Sequence, residues 1–283
     1  MPAHHQSGSW LTALLFSIAF SAGVICLLAT SEPARGATSY GVFDIDLQMD
    51  AGMAETQRNA FRTAEATFEN MIGGYAAPVA AGTKLTINAS VEPIDGTGKV
   101  LGSAGPWGTF KSGGYTYTKN GRMRFDSADI GRWTPERMVQ LIMHEMAHVL
   151  GFGTLWAVNG VYVSGTGKYT GQEALEAYRV ETGNPNASYV PVELGGGYGT
   201  ANSHWDERDG GGSKELMTGW FDSGSYITQK TISSFADIGY VLRDVSSDTA
   251  PVPLPATGLL LLSGIGGLFY IRRRGDAEEP VPC

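Results

Sequence analysis

The sequence predicts an α+β domain, and three observations predict it. Segments with alternating or β-branched patterns (40–49, 83–94 and 113–126) fall in the first half of the chain. Stretches with apolar residues at helical spacing (54–72, 133–153, 171–180 and 229–238) are interspersed with and follow them. Of 283 residues, 42% are hydrophobic and 17% charged, a globular balance that 39 glycines bias toward loops.

The elements follow in order. "YGVFDIDLQM" (40–49) alternates apolar and polar positions and reads as one strand. In 54–72, Ala60, Phe61, Ala64, Phe68 and Met71 share one helical face, and Gly73 and Gly74 are placed to stop that helix. "TKLTINASVEPI" (83–94) is rich in β-branched residues, and 94–106 reads as a Gly-rich loop. "GGYTYTKNGRMRFD" (113–126) reads as a hairpin turning at Asn120–Gly121. In 133–153, Thr134 suits an N-cap, Pro135 the first helical position and Gly151 a left-handed cap. Residues 157–203 are rich in Gly, Tyr, Ser and Asn, with one short helix at 171–180. The helix at about 229–238 ends at Gly239.

The two ends differ from the middle. Residues 10–29 are apolar and nearly uncharged, with small residues following at Ala34, Gly36 and Ala37. Residues 1–37 therefore read as a signal peptide, although the first nine residues contain no Lys or Arg and leave an uncleaved anchor open. Residues 251–283 combine a Pro-rich turn, an apolar run from about Ala256 to Ile271, and Arg272, Arg273 and Arg274. That is the pattern of a C-terminal membrane segment, barely long enough to span a bilayer. The domain proper is then 38–250. The two cysteines, Cys26 and Cys283, both lie outside it, so it is predicted to stand without disulfides. A net charge of −8 without a basic stripe excludes nucleic acid as a partner class.

The chemistry concentrates in "HEMAHVLGFGTLW" (144–156). His144 and His148 are four apart on a helix, so both imidazoles can reach one ion. Glu145 stands at the edge of the same face, where a carboxylate serves as general base toward a metal-activated water. Zinc suits this set, because its catalytic sites keep three protein ligands and one open position. The match lies among Met138, Leu141, Ile142, Met146, Val149 and Leu150, and burying two His and a Glu there without a partner is costly.

A third ligand is needed, and the position three after Gly151 is Thr154. The chain has five His, of which His4 and His5 precede the apolar run of the signal segment. His204 is the remaining candidate. Asp206 or Glu207 could ligate instead, and a surface His beside Trp205 is the bland alternative.

"HEMAHVLGFG" resembles the metzincin zinc-protease pattern HExxHxxG. The long insertion before "HWDER" and "ELMTG", and the ending "ITQKTISSFADIGYVL", resemble the leishmanolysin-like branch, over about residues 123–242. The resemblance implies His144, His148 and His204 as zinc ligands, Glu145 as general base, and Met217 as a Met-turn under the site. By sequence alone Met217 is core. The sequence departs from this branch, often Cys-rich, in having no cysteine within 38–250. The C-terminal segment resembles a PEP-CTERM sorting signal, with a longer tail than usual.

The resemblance implies an α+β metzincin-like fold: a twisted mixed sheet packed on an active-site helix, an upper helix pair, and a loop-rich C-terminal part closing the cleft. The implied protein is an exported zinc metalloendopeptidase with one catalytic ion. Its partners are a protein or peptide substrate, the export and sorting machinery, and the membrane through the C-terminal segment. Its location is the cell envelope, cell surface or extracellular matrix, with release as an alternative. A rival reading is a surface or matrix protein with a structural, non-catalytic zinc, and a third is a zinc hydrolase of a non-peptide bond. The pairs Asp44/Asp46 and Asp126/Asp129 could hold calcium, or be solvated loop carboxylates.

Overall fold

The computed structural model describes residues 40–197, 199–208, 212, 214–221 and 224–243. The expected signal segment (1–37) and C-terminal sorting segment (251–283) lie outside the described residues. The chain divides into residues 1–36 and 37–283, and all described residues belong to the second unit. Among them no helix is long and apolar enough to cross a membrane.

In chain order the elements are β1 (Tyr40–Val42), β2 (Ile45–Met49), α1 (Glu55–Met71), β3 (Ile72–Tyr75), β4 (Leu85–Glu92), β5 (Gly102–Ser112), β6 (Tyr115–Asp126) and α2 (Ser127–Ile130). Then come α3 (Pro135–Leu150), β7 (Lys168–Tyr169), α4 (Gln172–Thr182), β8 (Val190–Pro191), α5 (Gln229–Asp237) and β9 (Tyr240–Leu242). The four-stranded sheet has the order β2-β4-β6-β5, with the first three strands parallel and β5 antiparallel on the edge. A three-stranded antiparallel sheet, β1-β3-β9, ties the first described strand to the last. A two-stranded ribbon, β7-β8, lies in the loop-rich part. The architecture is mixed α+β with several sheets.

At the start of helix α1 the Ala54 N–H donates to Gln57 Oε1 at 2.9 Å, and the Ala54 side chain makes no cap of its own. It buries Ala60, Phe61, Ala64 and Phe68, the face expected from their spacing. Phe61 meets Phe125 of β6 edge to face, with ring centroids 5.3 Å apart. Burying each such aromatic or aliphatic side chain contributes roughly 1.5–3 kcal/mol.

Two strand expectations are corrected. Residues 40–49 are two strands in two different sheets, broken at Phe43–Asp44. Helix α1 stops just before Gly73 and Gly74, as expected, and the chain passes directly into β3, which contains both. The hairpin of β5 and β6 turns at Gly113–Gly114, with φ of +54° and +90°, and not at Asn120–Gly121. The supposed loop at 94–106 therefore ends inside strand β5. The Asn-Gly pair sits within β6 for a packing reason: a Cβ on Gly121 would stand 2.2 Å from Val149 Cγ1 of α3. A turn signal and a close helix–sheet approach both call for glycine, and the pattern alone does not separate them.

The acidic pairs take up structural contacts. Asp126 and Asp129 are 0% and 3% exposed, so they are not solvated loop carboxylates. Asp126 accepts from the N–H groups of Ala128 (2.8 Å), Asp95 (2.9 Å) and Gly96 (2.8 Å). These bonds, led by that from Ala128, hold its carboxyl below the usual range. Asp129 accepts from Gly98 at 2.9 Å. Together they pin the glycine-rich loop that precedes β5. Asp44 pairs with Lys84 at 2.9 Å.

Candidate metal centre

Helix α3 supplies two of the site's side chains. Its start is capped by Thr134, whose side chain accepts from Arg137 N–H at 3.4 Å, with Pro135 in the first turn. Its end is set by Gly151 at φ +120°, in the left-handed region. The last carbonyls all find donors. The His148 carbonyl accepts from Gly151 N–H (3.2 Å) and the Thr154 hydroxyl (2.7 Å), that of Val149 from the Thr118 hydroxyl (2.6 Å), and that of Leu150 from the Tyr240 hydroxyl (3.0 Å). The helix is thus fixed at its C-terminus, where His144 and His148 stand.

His204 reaches them from a loop sixty residues later. His144, His148 and His204 are 8%, 6% and 4% exposed. Their Nε2 atoms lie 3.0–3.2 Å from one another. The loop is held on both sides of His204. The Glu193 N–H donates to the His204 carbonyl at 2.9 Å, and the Trp205 N–H donates to the Met217 carbonyl at 3.0 Å. Trp205 is fully buried, with Phe152, Trp156 and Tyr169 rings around it at centroid distances of 5.1, 4.9 and 5.1 Å. The surface-histidine alternative is excluded by this burial.

Gly153 admits the returning loop. It has φ +70°, and a Cβ there would stand 2.3 Å from the Ser203 carbonyl oxygen and 2.7 Å from its Cα. Sequence reasoning gave Gly151 a role and missed Gly153, although it stands in the quoted motif. The signal was the second glycine of "GFG". Thr154, at the position where a third His was first sought, instead caps α3.

The hydrogen bonds on the far side of each ring fix its tautomer. The Nδ1 of His144 is 2.7 Å from the Leu216 carbonyl, that of His148 2.9 Å from the Phe152 carbonyl, and that of His204 2.9 Å from the Thr200 carbonyl. A carbonyl only accepts, so each Nδ1 carries the hydrogen and donates. Each Nε2 of a neutral ring is then a bare lone pair. Burial keeps the rings neutral: it lowers His144, puts His148 well below the usual histidine range and pushes His204 down to about 3. Three converging lone pairs with no hydrogen among them repel unless a cation lies between them.

The donor set fits zinc. Nitrogens about 2.0–2.1 Å from a tetrahedral ion are separated by about 3.3 Å, close to the spacing found. Among the described residues, these three His are the group of His, Cys, Asp or Glu able to share an ion. Asp206 and Glu207 are not in it: Asp206 Oδ1 accepts from Arg208 N–H at 2.8 Å instead.

Glu145 is 7% exposed, next to His144. Burial pushes its carboxyl up to about 8. Its Oε1 faces strand β5, where a Cβ on Gly102 would come within 3.1 Å of it. Met217 is fully buried in the turn 215–218, whose Leu216 carbonyl holds His144.

The leishmanolysin peptidase family model matches residues 81–250, more than half of the chain. A leishmanolysin homolog from Crithidia fasciculata is 32% identical over 120 residues, 39% of this chain and 18% of that protein. Leishmanolysin from Leishmania major is 29% identical over 136 residues, 44% of this chain and 22% of that protein. The chain thus matches only about a fifth of the length of each curated relative.

Proposed function

Because the chain belongs to the leishmanolysin family of peptidases, we propose that it is a zinc-dependent metalloendopeptidase, with His144, His148 and His204 as ligands of one zinc ion and Glu145 as general base. One observation carries the reading: three buried imidazoles present bare Nε2 lone pairs to a common point, each held by a carbonyl behind it. Carbonyl-backed histidines are the usual support of a metal site.

When bound there, zinc supplies a Lewis acid that acidifies water and polarises a peptide carbonyl. The residues of the chain do the rest. Glu145 accepts a proton from the attacking water at a carboxyl oxygen and passes it to the leaving amine nitrogen. A carboxyl pushed up by burial is drawn back down by a nearby divalent cation, which keeps it available as a base. Met217 is the floor of the site. The substrate is a protein or peptide. The surroundings are those of an exported enzyme at the cell surface or matrix, with 1–37 as signal peptide and 251–283 as a PEP-CTERM-type membrane-associated sorting segment.

The test is a proteolysis assay on the purified protein with and without chelator. Chelator-sensitive cleavage that disappears in Glu145→Gln supports the reading. Stoichiometric zinc without cleavage points to the structural-zinc alternative, and cleavage indifferent to chelator overturns the proposal.

A further inference from the structure

One buried carboxyl group close to the site has no part in the chemistry above. Glu215 is 1% exposed. Its Oε2 accepts from the Met217 N–H at 2.6 Å, and its Oε1 accepts from the Thr231 hydroxyl at 2.6 Å. The Thr228 N–H and hydroxyl lie 3.4 and 3.3 Å from the same Oε1. The nearby buried cation is Lys230, whose Nζ is 3.0 Å from Thr228 Oγ1 and 3.8 Å from Glu181 Oε2.

Oε2 leads to the supports of both His144 and His204, and Oε1 leads to that of His204 by a second route. Oε2 closes the turn 215–218, which the Thr218 hydroxyl also ties by donating to the Glu215 carbonyl at 3.1 Å. Within that turn the Leu216 carbonyl accepts from His144 Nδ1, and the Met217 carbonyl accepts from the backbone of Trp205, the residue after His204. Oε1 reaches the same residue by its side chain. The Thr231 hydroxyl spends its one hydrogen on Glu215, so its lone pairs face the Trp205 indole N–H, which donates at 2.7 Å. One side chain therefore bridges the support of a helix histidine and that of a loop histidine, which join the same cluster from 60 residues apart.

We propose that Glu215 is a positioning residue that fixes His144 and His204 relative to each other, so that both present Nε2 to one ion. The inference rests on the reading of the three histidines as zinc ligands. Two acceptor oxygens are the required property. Gln fills the same volume but offers one acceptor and one donor, so it cannot accept from both Met217 and Thr231. Thr231→Val keeps the shape and removes only the branch to Trp205, while Thr231→Ser retains the hydroxyl.

The experiment measures zinc affinity of the full-length protein by competition with a chromophoric chelator. It also records the visible spectrum of the cobalt-substituted protein and the unfolding of the metal-free form. Glu215→Gln and Thr231→Val should each weaken zinc binding about 10–100-fold, the usual loss for an outer partner of a metal ligand. Both should alter the cobalt spectrum, and Thr231→Ser should restore it. The two losses should add to less than their sum in the double variant, because they act through one network. Variants that only unfold more readily, with wild-type zinc affinity and cobalt spectrum when folded, overturn the role. Where Glu215→Gln fails to fold, the Thr231 pair decides. A wild-type protein that binds no zinc overturns the site itself; wild-type binding unchanged in the variants overturns only Glu215.

Discussion

The main-chain carbonyl of Leu216 accepts a 2.7 Å hydrogen bond from Nδ1 of His144, 72 residues earlier in the chain. That bond sets the tautomer of a helix residue from a turn in the loop-rich half. Without it, His144 would be free to place its hydrogen on either nitrogen, and its Nε2 would not be committed to an ion.

His204 is the ligand most dependent on tertiary structure. His204→Ala should weaken zinc binding by more than about 100-fold, beyond the usual cost of losing an outer partner of a ligand. Metal analysis after dialysis should find close to one zinc per wild-type chain and far less in the variant. Equal zinc content in the two would remove His204 from the site.

Glu145→Gln separates binding from turnover. The amide has nearly the same volume and cannot take a proton, so zinc content should be unchanged while the rate of peptide cleavage falls about 10²–10⁴-fold, the usual share of a general base. Steady-state kinetics on a fluorogenic peptide, paired with metal analysis, reads both.

Gly153→Ala should damage the site from a distance. The added Cβ meets the Ser203 carbonyl oxygen at 2.3 Å, at a φ of +70° that side chains rarely adopt. A cost of about 1–3 kcal/mol in stability is expected from strain of this kind. Because Ser203 precedes His204, zinc affinity should fall as well. Urea unfolding and a zinc titration check the two effects, and an alanine variant with intact zinc binding would show that the loop does not need this close approach.

Lys230 gives a pH signature. Its side chain is fully buried, and burial lowers its pKa, opposed by Glu215 and Glu181. The folded pKa lies below the unfolded value of 10.5, so between the two the unfolded chain binds more protons. Stability contributed at this residue therefore rises as pH increases toward 10.5 and is lower at neutral pH. Wild type should gain stability relative to Lys230→Met between pH 7 and pH 10, measured by urea unfolding at each pH. A difference between the two proteins that is constant with pH would contradict the burial cost.

Much of the local structure was legible. Thr134, Pro135 and Gly151 marked both ends of α3, because capping and left-handed turns depend on residue type alone. His144, Glu145 and His148 share a helix face because helical geometry puts positions four apart side by side. His204 was reached by counting, since few histidines remained to choose from. Other features needed the fold. Gly121 looked like a turn and is a contact with Val149; Gly153 looked incidental and makes room for Ser203; Asp126 looked solvated and is buried under three backbone N–H groups. Glu215 drew no notice in the sequence, because a lone Glu in a loop carries no periodic signal. The sequence by itself determined the helix, its ends and the identity of the groups that could hold an ion. Only the tertiary structure decided that their Nε2 atoms meet within 3.2 Å, because that convergence is set by carbonyls and glycines brought together across the chain, which no local pattern encodes.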